Sequence, residues 1–236
     1  MSAAPAPLAL VEVGGLRFYV RPGTTDRKVL PEVVERLAYV RPDFLDLEAD
    51  DRWLDLGANI GAFTVLAASR GAEVRAFEPE PENFALLEAN VQVNGLRAEL
   101  HDAAVTAKDA GTAPLYLCSG AYNRYRHTLR PVRGRAAIAV RTVALGTLLD
   151  GWPNAVKIDV EGAEIAMLSN GCAWPGVRKL ALEYDFDQDR SIPRFLARMA
   201  ALRAVGFEVR HRPMPAGKVT YDYWPSGLLV HAVRRG

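Results

Sequence analysis

The stretch "WLDLGANIGAFTVLA", Trp53 to Ala67, constrains this chain more than any other. A strand-like apolar run enters a turn with two glycines and leaves as a helix. Such turns present backbone N–H groups to a ligand at a helix N-terminus. Several ligands use them, and the details separate the ligands. A P-loop needs a lysine after its last glycine, and none follows Gly61. The dinucleotide fingerprint needs three spaced glycines; Gly57 fits the first place, but Asn59 and Ala62 hold the second and third. An NAD-dependent oxidoreductase is disfavoured on that ground. What stands instead is Asp55-Leu56-Gly57-Ala58-Asn59-Ile60-Gly61, with an acid just ahead of the first glycine. That acid would repel a pyrophosphate and suits a ligand bearing a cation, such as the amino group of a methionine tail. The charge argument favours S-adenosylmethionine.

Two further acids fit that choice. Glu78 ends the next strand-like run, where a carboxylate accepts both ribose hydroxyls across a crevice at the strands' carboxyl ends. Asp102, in "HDAAV", stands where a carboxylate accepts a hydrogen bond from an adenine amino group. The competing reading makes these acids helix caps and turn residues.

Around this centre the chain alternates strand and helix from Trp53, which implies a parallel sheet with helices on both faces. "LALVEVGGLRFYVR" predicts a hairpin about Gly14-Gly15, and "TTDRKVLPEVVERLAYV" a helix capped by Thr25 or Asp26, with apolar positions running to Leu37. "TAPLYLCS" and "AAIAVRTVAL" read as an inserted hairpin around a polar loop. "FEVRHR" and "LLVHAVRR" make two final strands, the last antiparallel. Residues 1–50 form an N-terminal extension and residues 51–236 the main domain.

"DLGANIGAFT", "FEPEPENFALLEANVQVNG", "HDAAV" and above all "VKIDVEGAEIAML" resemble the FkbM-type methyltransferases, a branch of the class I S-adenosylmethionine-dependent enzymes. The "RPGTTD" element ahead of the core is also similar to that family's leading segment, and the resemblance runs over roughly residues 17 to 185. It implies a Rossmann-like class I methyltransferase fold with a mostly parallel seven-stranded sheet. It also implies O-methylation of a hydroxyl on a natural product or sugar. Carried over residue by residue, Asp55, Gly57, Asn59 and Gly61 line the methionine part of the cofactor, Glu78 the ribose, and Asp102 with Ala103 the adenine edge; Asp26 and Pro79 are counted with them. No residue dictates oxygen, so a nitrogen, carboxylate or peptide acceptor stays open, as does a non-catalytic cofactor-binding protein.

The candidates for chemistry follow the fourth strand of the core. In "VKIDVEGAE" alternation puts Lys157 and Asp159 on one side, so Asp159 leaves the strand beside the crevice. Asp159 and Glu161 are read as base and orienting partner, or as oxygen ligands of Mg²⁺; no metal site is assigned. Lys157 is expected to pair with one of these carboxylates, and Glu164 to be a first-turn helix acid. His127, in the arginine-rich loop "YNRYRHTLRPVRGR", is a second candidate base in a loop that can act as a lid over an acidic or aromatic acceptor. Tyr184 or Asp185 lines the acceptor pocket, and "TYDYWPSG" covers it.

The formal net charge of +1 argues against bulk nucleic-acid or anionic-membrane binding. The expected partner is therefore a small-molecule or saccharide acceptor, with no nucleic acid and no membrane. Cys118 and Cys172 fall in no metal-ligand spacing. With no signal-peptide pattern and no apolar run near the roughly 18–20 residues of a membrane span, the expected location is cytoplasmic. Oligomeric state is left open, a homodimer included.

Overall fold

The computed structural model describes residues 7–108, 110–118, 126–169, 174–186, 191–213 and 227–235. The chain opens with β1 (Ala9–Val13), β2 (Leu16–Val20) and α1 (Asp26–Val34). Then come β3 (Arg52–Leu56), α2 (Ala62–Ser69), β4 (Glu73–Phe77), α3 (Pro81–Val93) and β5 (Glu99–His101). A middle group follows: β6 (Ala103–Thr106), β7 (Thr112–Tyr116), β8 (Ala137–Ala144) and α4 (Leu145–Leu148). The chain closes with β9 (Ala155–Ile158), α5 (Glu164–Ser169), β10 (Lys179–Asp185), α6 (Ile192–Ala204), β11 (Glu208–Pro213) and β12 (Gly227–Val233).

The seven-stranded sheet has the order β11-β12-β10-β9-β3-β4-β5. Strands β9, β3, β4 and β5 pair in parallel, as does β10 with β9, while β12 runs antiparallel between β10 and β11. From β3 the chain winds first toward β5 and later, from β9, toward the other edge. The gap between β3 and β9 is therefore the point at which strand order reverses, where α/β sheets open a crevice at their carboxyl ends. The predicted inserted hairpin is the antiparallel pair β7–β8, joined by β6 in a separate three-stranded sheet.

Alternation along the central strands divides the core. Trp53 and Ala155 face one apolar cluster with Phe18, Leu30, Leu45 and Phe63. Leu54, Leu56, Val156 and Ile158 face the other, with Met167, Tyr184, Phe195 and Met199. The N-terminal hairpin and α1 cover the first face, stitched down by polar contacts as well as apolar ones. Buried Asn90 of α3 accepts from the Tyr19 backbone N–H at 2.6 Å and donates to the Ile60 carbonyl at 2.8 Å.

Two local predictions differ from the structure. The first helix ends at Val34, and Leu37 takes a left-handed φ of 53° instead of continuing the helical face. The single strand expected over "AELHDAAV" breaks at Asp102, giving β5 to the large sheet and β6 to the small one. No described helix is long and apolar enough to cross a membrane.

Candidate active site

A cleft of about 580 Å³, measured out to its open mouth, lies at the carboxyl ends of β3, β4 and β9. The small sheet and the loop between β7 and β8 form its other wall. Of the candidate site residues, Gly57, Asn59, Glu78, Pro79, Ala103, His127, Asp159 and Glu161 all line it. Sequence reasoning missed the polar Asn83, and it missed Phe77, Val105, Leu115 and Leu129, which supply much of the apolar wall. Apolar residues that line a cleft carry the same pattern as those that fill a core, so no local signal marks them.

Part of the cleft is built around Glu78. Its Oε2 accepts the Asn59 N–H at 2.8 Å and its Oε1 the Glu80 N–H at 2.9 Å. Asn59 can aim its N–H there because it adopts a left-handed φ of 54°, a conformation Asn tolerates better than most residues. Burial pushes the Glu78 carboxyl up to about 7, against the pull of those two N–H groups and of the Asn83 side chain.

Asp159 lines the same cleft. Its Oδ2 accepts the Tyr39 hydroxyl at 2.7 Å, and the Lys157 ammonium stands 4.0 Å away. Oδ1 accepts no hydrogen bond from a described residue. Tyr39 comes from the turn after α1. Burial first, and then the Asp159 charge, hold its phenol well above the ordinary value, so it stays protonated and donates. The signal missed at Tyr39 was that its apolar context reads as helix face.

Beneath the cleft lies a buried ion pair. The register of β3 and β9 sets Asp55 opposite Lys157, and their charges approach to 3.0 Å. Thr64 donates to the other Asp55 oxygen at 2.6 Å, and Lys157 donates to the Gly57 carbonyl at 2.7 Å. Burial pulls Lys157 down, but Asp55 and then Asp159 outweigh it and leave the ammonium above its ordinary value.

This geometry corrects several expectations. Asp55 is fully buried and does not line the cleft; Lys157 and Thr64 take up its charge where a ligand cation was expected. Lys157 thus pairs chiefly with Asp55. Gly61 also lies off the cleft: it is the N-cap of α2, and a side chain there would meet Leu87 at 2.6 Å. Asp26 forms an ion pair with Arg21 at 2.9 Å and is not a lining residue. Asp102 is exposed and paired with Arg141, because the chain breaks its strand there and turns the side chain to solvent. Tyr184 is fully buried in the core, its hydroxyl accepting from Arg198 at 2.7 Å, and neither it nor Asp185 lines the cleft. Glu164, at the start of α5, binds the Gly162 N–H at 2.8 Å and the Asp185 N–H at 3.1 Å, and burial pushes it up to about 8.

His127 reaches the cleft, but not as the expected base. Its Nδ1 accepts the Cys118 backbone N–H at 3.1 Å, so the proton of the neutral ring sits on Nε2 and the ring is a donor. The loop carrying it is pinned: Thr128 donates to the Glu161 carbonyl at 2.8 Å, and Arg126 lies 3.7 Å from the Glu161 carboxylate. Tyr122, Arg124 and Tyr125 of the expected lid lie outside the described residues, as do Cys172 and residues 220–226 of the expected cover. Among the described residues, the one cluster of three acids with ligand atoms within 4.8 Å is Glu48, Asp50 and Asp51. Neither Asp159 nor Glu161 belongs to it.

The lining fits S-adenosylmethionine: a buried acceptor, Glu78, apolar side chains, and Asp159, beside which a cationic centre would be welcome.

Comparison with known proteins agrees with the fold and corrects one expectation. A curated relative, the 23S rRNA (uracil(1939)-C(5))-methyltransferase RlmD of Shewanella amazonensis, is 34% identical over 89 residues, 38% of this chain and 20% of that one. The Pyrococcus abyssi tRNA (uracil-54, C5)-methyltransferase with S-adenosyl-L-homocysteine superposes at a TM-score of 0.50, 14% identical, over 96% of this chain and 44% of that one. Trm5b from Pyrococcus abyssi superposes at 0.54, 12% identical, over 98% and 57%. The chain thus spans about a fifth of the curated relative and under half of the tRNA enzyme. Matches to rRNA and tRNA methyltransferases overturn the expectation that nucleic acid is excluded as a partner. Net charge is a sum over the whole surface and does not report a local patch, and Arg130 and Arg133 are exposed on the loop beside the cleft. Residues 55–209 match the Methyltransferase FkbM domain, about two thirds of the sequence, and the chain belongs to that family.

Proposed function

We propose that this protein is an S-adenosylmethionine-dependent methyltransferase acting on a hydroxyl oxygen. The observation that carries the reading is Asp159: a carboxylate lining the cleft, fixed through Oδ2 by Tyr39, with Oδ1 accepting from no donor among the described residues. Glu78 would hold the ribose hydroxyls, with Asn59, Phe77 and Ala103 along the nucleoside. When bound, the cofactor supplies an electrophilic methyl group on a positively charged sulfur. The protein aligns the acceptor and removes its proton, and Asp159 Oδ1 is the atom that receives it. Lys157 and the Tyr39 hydroxyl hold the carboxylate in place, while His127 Nε2–H orients the acceptor by donating to it.

Oxygen is favoured over carbon by the same residues. Methylation of a pyrimidine carbon calls for a nucleophile that first adds to the ring. The described lining of this cleft holds carboxylates and no thiol. A small-molecule or saccharide hydroxyl, the acceptor class the family resemblance implies, suits a carboxylate this recessed. A second reading is an RNA hydroxyl, favoured by the rRNA methyltransferase match and the exposed arginines beside the cleft.

The test is transfer of tritium from methyl-labelled S-adenosylmethionine to two pools: hydroxylated saccharides and natural-product alcohols, and total tRNA with rRNA. Label entering the first pool, and lost in Asp159→Asn, supports the first reading. Label confined to RNA supports the second. Absence of S-adenosylhomocysteine binding by calorimetry overturns the cofactor assignment itself.

A further inference from the structure

Resting on that cofactor assignment, the structure points to a positioning residue outside the matched family region. We propose that Arg21 fixes the direction of the Asn83 amide and thereby sets the affinity of Glu78 for the cofactor's ribose hydroxyls.

Arg21 lies between β2 and α1 and is 12% exposed. Its guanidinium is oriented by Asp26 at two points, Nε to Oδ2 at 2.9 Å and Nη2 to Oδ1 at 3.0 Å. The Arg21 backbone N–H adds a third bond to the same carboxylate at 3.0 Å. So anchored, Nη2 donates to Asn83 Oδ1 at 2.6 Å. Asn83 is 2% exposed, and its own backbone N–H is taken by Glu80 at 2.7 Å.

An amide whose oxygen is captured on one side presents its NH₂ on the other. The Asn83 side chain hydrogen-bonds Glu78 and favours its ionised form. A carboxylate has about four lone-pair sites, and Asn59, Glu80 and Asn83 occupy some of them while leaving acceptor capacity toward the cleft. Without Arg21 the amide is free to turn. Its oxygen then faces Glu78, a donor is replaced by a second acceptor, and the carboxylate that should receive two hydroxyls is disfavoured. Asp26, expected from the sequence at the cofactor, acts through Arg21, Asn83 and Glu78 by holding the Arg21 guanidinium in position.

A merely structural role for Arg21 predicts something different, and Arg17 provides the comparison. Arg17 ties the same hairpin to the end of α3, with its backbone N–H on Asn94 Oδ1 at 2.9 Å and its guanidinium on the Val93 carbonyl. It touches neither Asn83 nor Glu78.

The experiment is calorimetric titration of the full chain with S-adenosylhomocysteine, on wild type, Arg17→Ala, Arg21→Lys, Asn83→Ala and the Arg21→Lys/Asn83→Ala double variant. Lysine preserves the charge pair with Asp26, and with it folding, but its single ammonium cannot also serve Asn83 as a fork does. Arg21→Lys is expected to weaken binding about tenfold, the scale of one hydrogen bond to a charged group. Arg17→Ala should stay within about twofold, and the double variant should bind no more weakly than Asn83→Ala alone. Wild-type affinity in Arg21→Lys, or losses that multiply in the double variant, would overturn the proposal while leaving the cofactor assignment intact. A wild type that does not bind S-adenosylhomocysteine overturns both.

Discussion

Cofactor affinity should depend on pH through Glu78. Its carboxyl is 6% exposed and pushed up to about 7 by burial, so near neutrality the free protein is divided between neutral and ionised forms. Ribose hydroxyls bind the carboxylate, because a protonated carboxyl has committed one oxygen as a donor. With a midpoint near 7, the ionised fraction falls from ~0.9 at pH 8 to ~0.1 at pH 6. S-adenosylhomocysteine should therefore bind roughly tenfold more weakly at pH 6, and binding there should release close to one proton. Calorimetry in buffers of different ionisation enthalpy reads both quantities.

Stability of the free protein has the opposite sense. The folded value lies above the reference of 4.5, so stability from this group is full below 4.5 and is lost as pH rises through about 7. The loss amounts to ~3 kcal/mol at 1.36 kcal/mol per unit. The ligand recovers that loss, so its stabilising effect on the melting temperature should be larger at pH 8 than at pH 6. His127, Asp159 and Glu161 also line the cleft, and the Glu80 and Lys157 charges act on or near Glu78, so assignment needs Glu78→Gln. That variant should bind at least about tenfold more weakly at pH 8 and show no slope. A flat wild-type profile between pH 6 and 8, or a slope surviving in Glu78→Gln, would refute the reasoning.

Other outcomes follow from single contacts. Asp159→Asn should leave S-adenosylhomocysteine affinity within a few fold and cut methyl transfer by ~10²-fold or more, whereas Tyr39→Phe, which keeps the ring and loses only the hydroxyl, should cost roughly tenfold in rate. Single-turnover assays with the acceptor found by labelling separate the two. Gly57→Ala should destabilise the fold by several kcal/mol in thermal denaturation, on the order of the largest single-site effects: its φ is 78°, and the new carbon would sit 1.8 Å from the Asp159 carbonyl oxygen. His231 is fully buried, and burial lowers it from 6.5 to about 4. Its contribution is whole above 6.5 and is lost as pH falls through 4, about 3 kcal/mol in all; chemical denaturation at pH 7 and pH 4 should show this loss, and His231→Gln should lack it.

The fold was legible because its elements carry their periodicity in full. Val74, Ala76 and Phe77 fill a buried strand, and Pro81 to Val93 begin on a capping Glu80 and end before Asn94-Gly95. Element ends decided by tertiary contact were not legible. Leu37 continues the helical spacing of Val33 and Val34, yet the chain turns there and delivers Tyr39 to Asp159. Asp102 follows a strand in sequence, as a ligand acid should, but the strand changes sheets at that residue and Arg141 claims the side chain. The charged members of the cleft at strand ends, Glu78 and Asp159, were found. The apolar ones, Phe77 at the end of β4, Val105 and Leu115 from the small sheet and Leu129 from the loop between β7 and β8, were not.

Asp55 shows how a correct choice of cofactor family can rest on a wrong cause. An acid ahead of the first glycine was read as complementing a ligand's positive charge, but Lys157 takes it up at 3.0 Å with no ligand needed. Burying such a pair is a poor source of stability, since each ion loses several kcal/mol of hydration that the attraction only partly restores. Its consequence lies in geometry. The Lys157 ammonium reaches Asp55, the Gly57 carbonyl and the neighbourhood of Asp159 together, so it ties the end of β3 to the end of β9 beneath the cleft. Gly57 completes the joint from the other side, because only a residue without Cβ lets the Asp159 carbonyl come so near. "DLG" and "KID" thus behave as one structural unit, whose residue types answer to one another first. What remains to face the cleft is the acceptor capacity that the Asn59 and Glu80 N–H groups leave on Glu78, and Oδ1 of Asp159.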